Sequence, residues 1–350
     1  MKVFGEWWSI KKRWKDLLYI SLGLFLIAVL MLRADVTDTL DVMSGIDIRP
    51  LILVLVLYLL NTGCKVLRWY GLLKGMKGKR LGPIILPIFL SSLALNNSTP
   101  GKIGGEPVRG LMLKEHTGNR LSLGIATIFA EKSLDILTIL GFAIFGMIYL
   151  MIVLGFEDIK GMAFAIILGG LLITVLILLI LSRRSVRLVT GMTKRIILKT
   201  THGNRSSRLF KLTVSANRFM ERFHRSLRSL GKGPSVGTGV VILTIVIWIN
   251  EALRLYIILQ ALPGNHSITF PGAVAAIAVA NVLGFILPIG SGNVIGSASV
   301  LEVLSGNEPM ATAASIIQVA TSLWISIPLG VISLFFLRSR KEKFISNDID

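Results

Sequence analysis

Six stretches of this chain stay apolar for about the 20 residues that a helix needs to cross a bilayer. They are 16–32, 50–73, 121–154, 161–181, 236–262 and 311–337. In lipid, backbone amides must be satisfied within the segment, so each run is predicted to be a helix and the fold class all-α. Only 16% of the residues are charged and the mean hydropathy is +0.73. Soluble domains carry about a quarter charged residues, so the chain is read as a polytopic membrane protein.

Two further stretches break the pattern. Residues 83–95 form a short apolar run that enters NNSTPGKIGGEP, and 271–288 enter PIGSGNVIG. Apolar runs cut short by Pro and Gly mark re-entrant or broken helices around a protein-enclosed cavity. The expected architecture is one membrane domain over 1–350, with six full spans and two re-entrant hairpins at 83–116 and 271–308. It divides into an N-terminal half (1–182), a basic connector (183–235), a second repeat (236–337) and a tail (338–350). The first apolar run follows a long basic, Trp-rich start with no small-residue cleavage site after it, so no cleavable signal peptide is expected.

The net charge of +19 would point to nucleic acid in a soluble protein. Here its distribution points to topology, and no nucleic-acid partner is expected. Residues 65–80 carry six basic residues and no acid, and 182–235 carry fourteen Lys/Arg against Glu221 alone. The segment 33–49 has four Asp against two Arg. If 83–116 dips from the cytoplasm and 271–308 from outside, every strongly basic segment is cytoplasmic, as the positive-inside rule requires. The expectation is a cell-membrane protein with both termini cytoplasmic.

An internal repeat fits that count. Leu67-Arg68-Trp69-Tyr70 matches Leu253-Arg254-Leu255-Tyr256 at an offset of 186, and Pro83, Pro100, Gly104, Leu113 and Gly118-Asn119 recur as Pro271, Pro288, Gly292, Leu301 and Gly306-Asn307 at 188. With the proposed topology the copies are inverted, the architecture of alternating-access transporters. The plainer reading is chance recurrence of Pro and Gly at hydrophobic turns. Within the connector, Leu209, Leu212, Phe219, Phe223, Leu227 and Leu230 recur at helical spacing among basic residues. That pattern predicts a basic amphipathic helix on the cytoplasmic leaflet, or else a solvated extension of its neighbours.

Ionisable side chains within apolar segments cost about 2.5–3.5 kcal/mol each at the bilayer centre, so they mark candidate sites. Lys102, Glu106 and Arg109 follow the break at Thr99, beside Gly104 and Gly105. Free amides at a new helix N-terminus there, with Lys102 and Arg109, would suit a phosphate, and Glu106 could pair with Arg109 three residues on. The plainer alternative is a loop made basic to stay cytoplasmic. Glu131, Lys132 and Asp135 form a second group, either a substrate or ion site or a structural ion pair between helices. Glu251 and Arg254, repeat partners of Lys65 and Arg68, form the third. They could neutralise each other locally, and the two arginines could hand an anionic headgroup across or snorkel to their nearer interfaces.

The sequence offers no Ser/His/Asp order, no HExxH and no acidic run of the kind that holds Mg²⁺. Cys64 stands alone and the four histidines are scattered, so neither a metal nor another cofactor is expected.

The run Asn96-Asn97-Ser98-Thr99-Pro100-Gly101-Lys102-Ile103-Gly104-Gly105-Glu106-Pro107-Val108-Arg109, followed by Glu131-Lys132-x-x-Asp135, resembles the flippase-like membrane proteins related to the transmembrane region of lysylphosphatidylglycerol synthase. The resemblance covers nearly the whole chain. It implies a polytopic membrane protein that moves a lipid headgroup between leaflets, with aminoacylated, polyprenyl-linked or glycosylated lipids among the family's substrates. Relatives carry Pro-Gly-Gly and a nearby Glu at the second glycine-rich turn, where this chain has Pro288-Ile289-Gly290-Ser291-Gly292 and Glu302 well downstream. A coupling role is therefore not carried over to that turn. No aminoacyl-transferase domain follows the last span, so aminoacyl transfer is not expected. Three readings follow. The first is a flippase for an anionic or lipid-linked headgroup. The others are a membrane enzyme acting on a lipid phosphate, with Glu131 or Asp135 as base, and a non-transporting partner of a soluble lipid-modifying enzyme. A pathway without a catalytic set favours the first.

Overall fold

A computed structural model describes residues 10–99, 104–155, 208–230, 234–264, 268–287 and 290–347, and among these there are helices and no strands. The expected span at 161–181, the connector up to 207, and Pro100–Ile103 (with Lys102) lie outside the described residues.

The first half holds α1 (Ile10–Arg33), α2 (Val36–Ser44), α3 (Ile48–Gly75), α4 (Ile85–Asn97), α5 (Gly105–Thr117) and α6 (Leu121–Leu154). Then come α7 (Arg208–Leu230), α8 (Pro234–Ala261), α9 (Phe270–Ile286), α10 (Ser291–Ser305) and α11 (Glu308–Asn347). Among the described residues four helices are long and apolar enough to cross a membrane: Ile48–Gly75, Leu121–Leu154, Val236–Ala261 and Glu308–Ser339. Their outward faces carry exposed large apolar side chains, among them Ile48, Leu59, Ile152, Trp324 and Phe335.

Each half runs long, short, short, long: α3–α6 and α8–α11. The 13 residues of α4 and of α5 reach about 20 Å at 1.5 Å per residue, less than the roughly 30 Å of a hydrocarbon core. Within each short pair the second helix begins against the backbone of the first. A Cβ on Gly105 would overlap the Ser92 carbonyl, and one on Gly292 the Leu283 carbonyl. Both pairs also end alike, on glycines in the left-handed region, Gly118 (φ 67°) and Gly306 (φ 65°), which donate to Lys114 O and Glu302 O.

The halves are interlocked. Contacts between α3 and α8 join Asp47 to Ala261, Tyr58 to Arg254, Lys65 to Glu251, Arg68 to Thr244 and Gly71 to Val240. One number rises as the other falls, so the two helices pack antiparallel. The short helix of each half packs on the long final helix of the other, α4 on α11 and α9 on α6. Small residues permit both crossings: Ala94 against Gly330, and Ala275 against Gly146. One apolar cluster is built chiefly from α8–α11 and another from α3–α7.

The expected amphipathic helix of the connector is present as α7, and part of its apolar face packs on protein. Along α7 the periodic apolar residues Phe219, Phe223 and Leu227 pack into the α3–α7 cluster, and Phe223 meets Phe129 of α6 edge-on at 5.5 Å. Protein, rather than lipid, covers this part of the apolar face, while Arg218, Arg222 and Arg225 stay exposed.

Candidate functional site

The interlocking leaves a cavity of about 190 Å³ between the halves. Its charged lining comes from α3 (Lys65, Arg68), α5 (Glu106, Arg109), α6 (Glu131, Lys132, Asp135) and α8 (Glu251). The short helices and α11 of the second half contribute neutral polar groups instead, namely Asn281, Asn293, Ser297, Gln318 and Ser322.

Arg68 sits at the centre of one network and is 2% exposed. Its Nη1 reaches Asp135 Oδ1 at 2.6 Å and Thr244 Oγ1 at 3.2 Å, and its Nη2 reaches Glu131 Oε1 at 3.1 Å and Asp135 Oδ2 at 3.2 Å. The fork geometry of a guanidinium matches two carboxylates one helical turn apart. Arg109 pairs with the other oxygen of Glu131 at 3.0 Å. Its guanidinium lies 5.1 Å from the Trp69 ring centroid and 5.0 Å from that of Phe89. Lys132 reaches across to Glu106 at 2.7 Å. The Glu106–Arg109 pairing expected within α5 is therefore not made. Both residues turn to α6 instead, Arg109 to Glu131 and Glu106 to Lys132.

The expected open N-terminus at the motif is also corrected. Thr99 Oγ1 accepts the Gly104 amide at 3.1 Å and Asn96 Oδ1 accepts that of Gly105 at 2.7 Å. Side chains of the same motif thus occupy these two donors, which leaves neither for a phosphate.

The second network centres on Glu251. Oε1 takes Lys65 Nζ at 3.0 Å and Asn61 Nδ2 at 3.0 Å, while Oε2 takes Arg254 Nη1 at 2.9 Å. Local pairing of Glu251 with Arg254 is thus present. Arg254 is fully buried, with Nη2 on Ser322 Oγ at 3.0 Å and its guanidinium 4.8 Å from the Tyr58 ring centroid. Tyr58 and Arg68 contact α8 ten residues apart, so the two arginines stand about 15 Å apart along the antiparallel pair, with Lys65–Glu251 between them.

The candidate residues Arg68, Glu106, Arg109, Glu131, Lys132, Asp135 and Glu251 converge on one cavity. Arg254 lies just behind it, while Thr99, Gly104 and Gly105 shape the α4–α5 turn. Sequence reasoning left out Lys65, which the same rule about ionisable residues in apolar segments would have found. It also missed Trp248, whose Nε1 donates to Asp135 Oδ1 at 3.1 Å. A tryptophan in an apolar run gives no such signal.

Residues 18–330 match the family model described as the lysylphosphatidylglycerol synthase TM region. The chain belongs to this family. It is an integral, multi-pass membrane protein. A UPF0104 membrane protein of Methanothermobacter thermautotrophicus is similar to it at 26% identity over 95% of this chain and 98% of its own length. A UPF0104 membrane protein of Pyrococcus horikoshii matches at 26% identity over 93% of this chain and 98% of its own length. A second Methanothermobacter UPF0104 membrane protein matches at 27% identity over 37% of this chain and 34% of its own length.

Proposed function

We propose that this member of the family is a lipid transporter that moves an anionic or lipid-linked headgroup between the leaflets of the cell membrane. The observation that carries the reading is a cavity walled by both halves of a membrane-spanning fold and lined by paired charges. Intramembrane charge that faces a cavity rather than lipid marks a pathway for polar cargo. At about 190 Å³ the cavity is smaller than the roughly 300–1,000 Å³ typical of pockets for drug-sized ligands. It suits a headgroup whose acyl chains remain in the bilayer.

The antiparallel α3 and α8 and the reciprocal packing of α4 on α11 and α9 on α6 support inverted-topology repeats. The hairpins α4–α5 and α9–α10 are then the two re-entrant elements among six full spans. With the basic segments on the positive-inside face, both termini are cytoplasmic. Each Arg holds one end of the path, Arg68 through two carboxylates and Arg254 through Glu251 and the hydroxyls of Thr321 and Ser322.

Purified protein in liposomes should move fluorescent anionic phospholipids and lipid-linked phosphates to the opposite leaflet, read by dithionite quenching. Arg68→Ala, Arg109→Ala and Arg254→Ala should each slow the movement. Unchanged leaflet distributions with well-folded protein across a broad lipid panel would falsify the proposal.

A further inference from the structure

The cavity's charges are not evenly matched. On the α5–α6 side, three cations (Arg68, Arg109 and Lys132) face three carboxylates (Glu106, Glu131 and Asp135). Around Glu251 two cations, Lys65 and Arg254, share one carboxylate. The local excess of one positive charge lies there.

Resting on the transport reading, we infer that Lys65 is the residue that receives the phosphate of the headgroup. A phosphate oxygen docks on its ammonium after the ammonium swings from Glu251 into the cavity. The other cations are held where they are. Arg68 has both terminal nitrogens on buried carboxylates, and Arg109 is 3% exposed between two aromatic rings. Lys132 cannot leave without stripping Glu106, whose side chain is 12% exposed, of its ion-pair partner.

Lys65 differs in what its departure leaves behind, although Lys132 is the more exposed of the two lysines, at 31%. The Lys65 side chain is 21% exposed and lines the cavity. When it leaves, Glu251 Oε1 keeps the Asn61 amide and Oε2 keeps Arg254, so no buried carboxylate is stranded. A lysine is also the cation suited to the move, a compact charge with three donors on a flexible four-carbon stem. Arg254, fully buried behind Glu251, supplies the fixed charge that makes the exchange balance. The ligand chemistry is an anionic phosphate oxygen, carried on a lipid headgroup or on free phosphate.

The test is calorimetric titration of the full chain in maltoside micelles with dihexanoyl-phosphatidylglycerol, and separately with sodium phosphate. The variants are Lys65→Met, Lys65→Arg and Lys114→Met, the last removing an exposed charge of α5. Lys65→Met should bind at least about tenfold more weakly, as expected for a lost charge-assisted hydrogen bond. Lys65→Arg should retain most of the affinity and Lys114→Met all of it, with thermal midpoints showing that each variant is folded. A Lys65-dependent signal in either arm supports the assignment, and the arm that gives it identifies the source of the phosphate. Equal affinity of Lys65→Met and wild type, equal loss in Lys114→Met, or no binding by wild type in either arm overturns it. Leaflet movement is measured on the same preparations. Lys65-dependent binding without movement removes the transport reading and leaves the subsite. Movement with Lys65-independent binding removes the subsite and leaves transport.

Discussion

Replacing Arg68 with leucine isolates the energetics of the cavity's best-defined network. The wild-type guanidinium is 2% exposed and holds Asp135 at 2.6 Å and Glu131 at 3.1 Å. In Arg68→Leu, Glu131 keeps Arg109, whereas Asp135 loses its ion-pair partner, keeps the indole N–H of Trp248 and remains buried. Removing one member of a buried ion pair costs about 3–5 kcal/mol, because the remaining charge has lost its compensation. Most of that cost belongs to the stranded carboxylate, so adding Asp135→Asn should restore about 1–3 kcal/mol, a coupling in the range measured for contacting residues. Arg254→Leu should cost less, about 1–3 kcal/mol for unmet hydrogen-bond groups, since Glu251 retains Lys65. Reversible unfolding in mixed micelles, followed by tryptophan fluorescence, measures wild type, Arg68→Leu, Asp135→Asn, their double variant and Arg254→Leu. The reasoning is refuted if Arg68→Leu lies within about 1 kcal/mol of wild type, the net worth of a single hydrogen bond. Strict additivity of Arg68→Leu and Asp135→Asn would refute it equally.

Glycine substitutions should separate close backbone approach from mere helix propensity. Gly105→Ala and Gly292→Ala collide with carbonyls of the preceding short helix and should each lower stability by about 1–3 kcal/mol, read as a fall in thermal midpoint. Gly63→Ala, with nothing within 4 Å of its added Cβ, should instead raise stability by up to about 1 kcal/mol. On the connector, Phe223→Ala deletes the side chain that anchors α7 to Phe129. Hydrogen exchange should then speed up along α7 while α3–α6 stay protected; unchanged exchange in α7 would mean that other contacts hold it.

The hydropathy of the chain made its long helices legible. The runs read at 50–73, 121–154, 236–262 and 311–337 fall within or nearly coincide with α3, α6, α8 and α11, because a span must be both apolar and long. The breaks were legible too, since Pro and Gly report where a helix stops; that the α5 amides would be capped from Asn96 and Thr99 was not. Pairing was the least legible property. Sequence spacing ties Glu106 to Arg109, yet the partners are Lys132 and Glu131, chosen by how α5 rotates against α6.

The two halves differ in the groups that answer their buried arginines. Arg68 meets Asp135, 67 residues downstream, and Arg254 approaches Thr321, also 67 downstream, at 3.4 Å. The two arginines thus occupy equivalent places in the frame, but the first is answered by carboxylates and the second by Thr321 and Ser322 hydroxyls and a carboxylate shared with Lys65. Hydroxyls in apolar helices satisfy themselves on the carbonyl a turn behind, as Ser322 does on Gln318, and so carry no cost that would flag them. A search guided by the expense of buried charge therefore finds the Arg68 side of the cavity and passes over the neutral groups that hold Arg254.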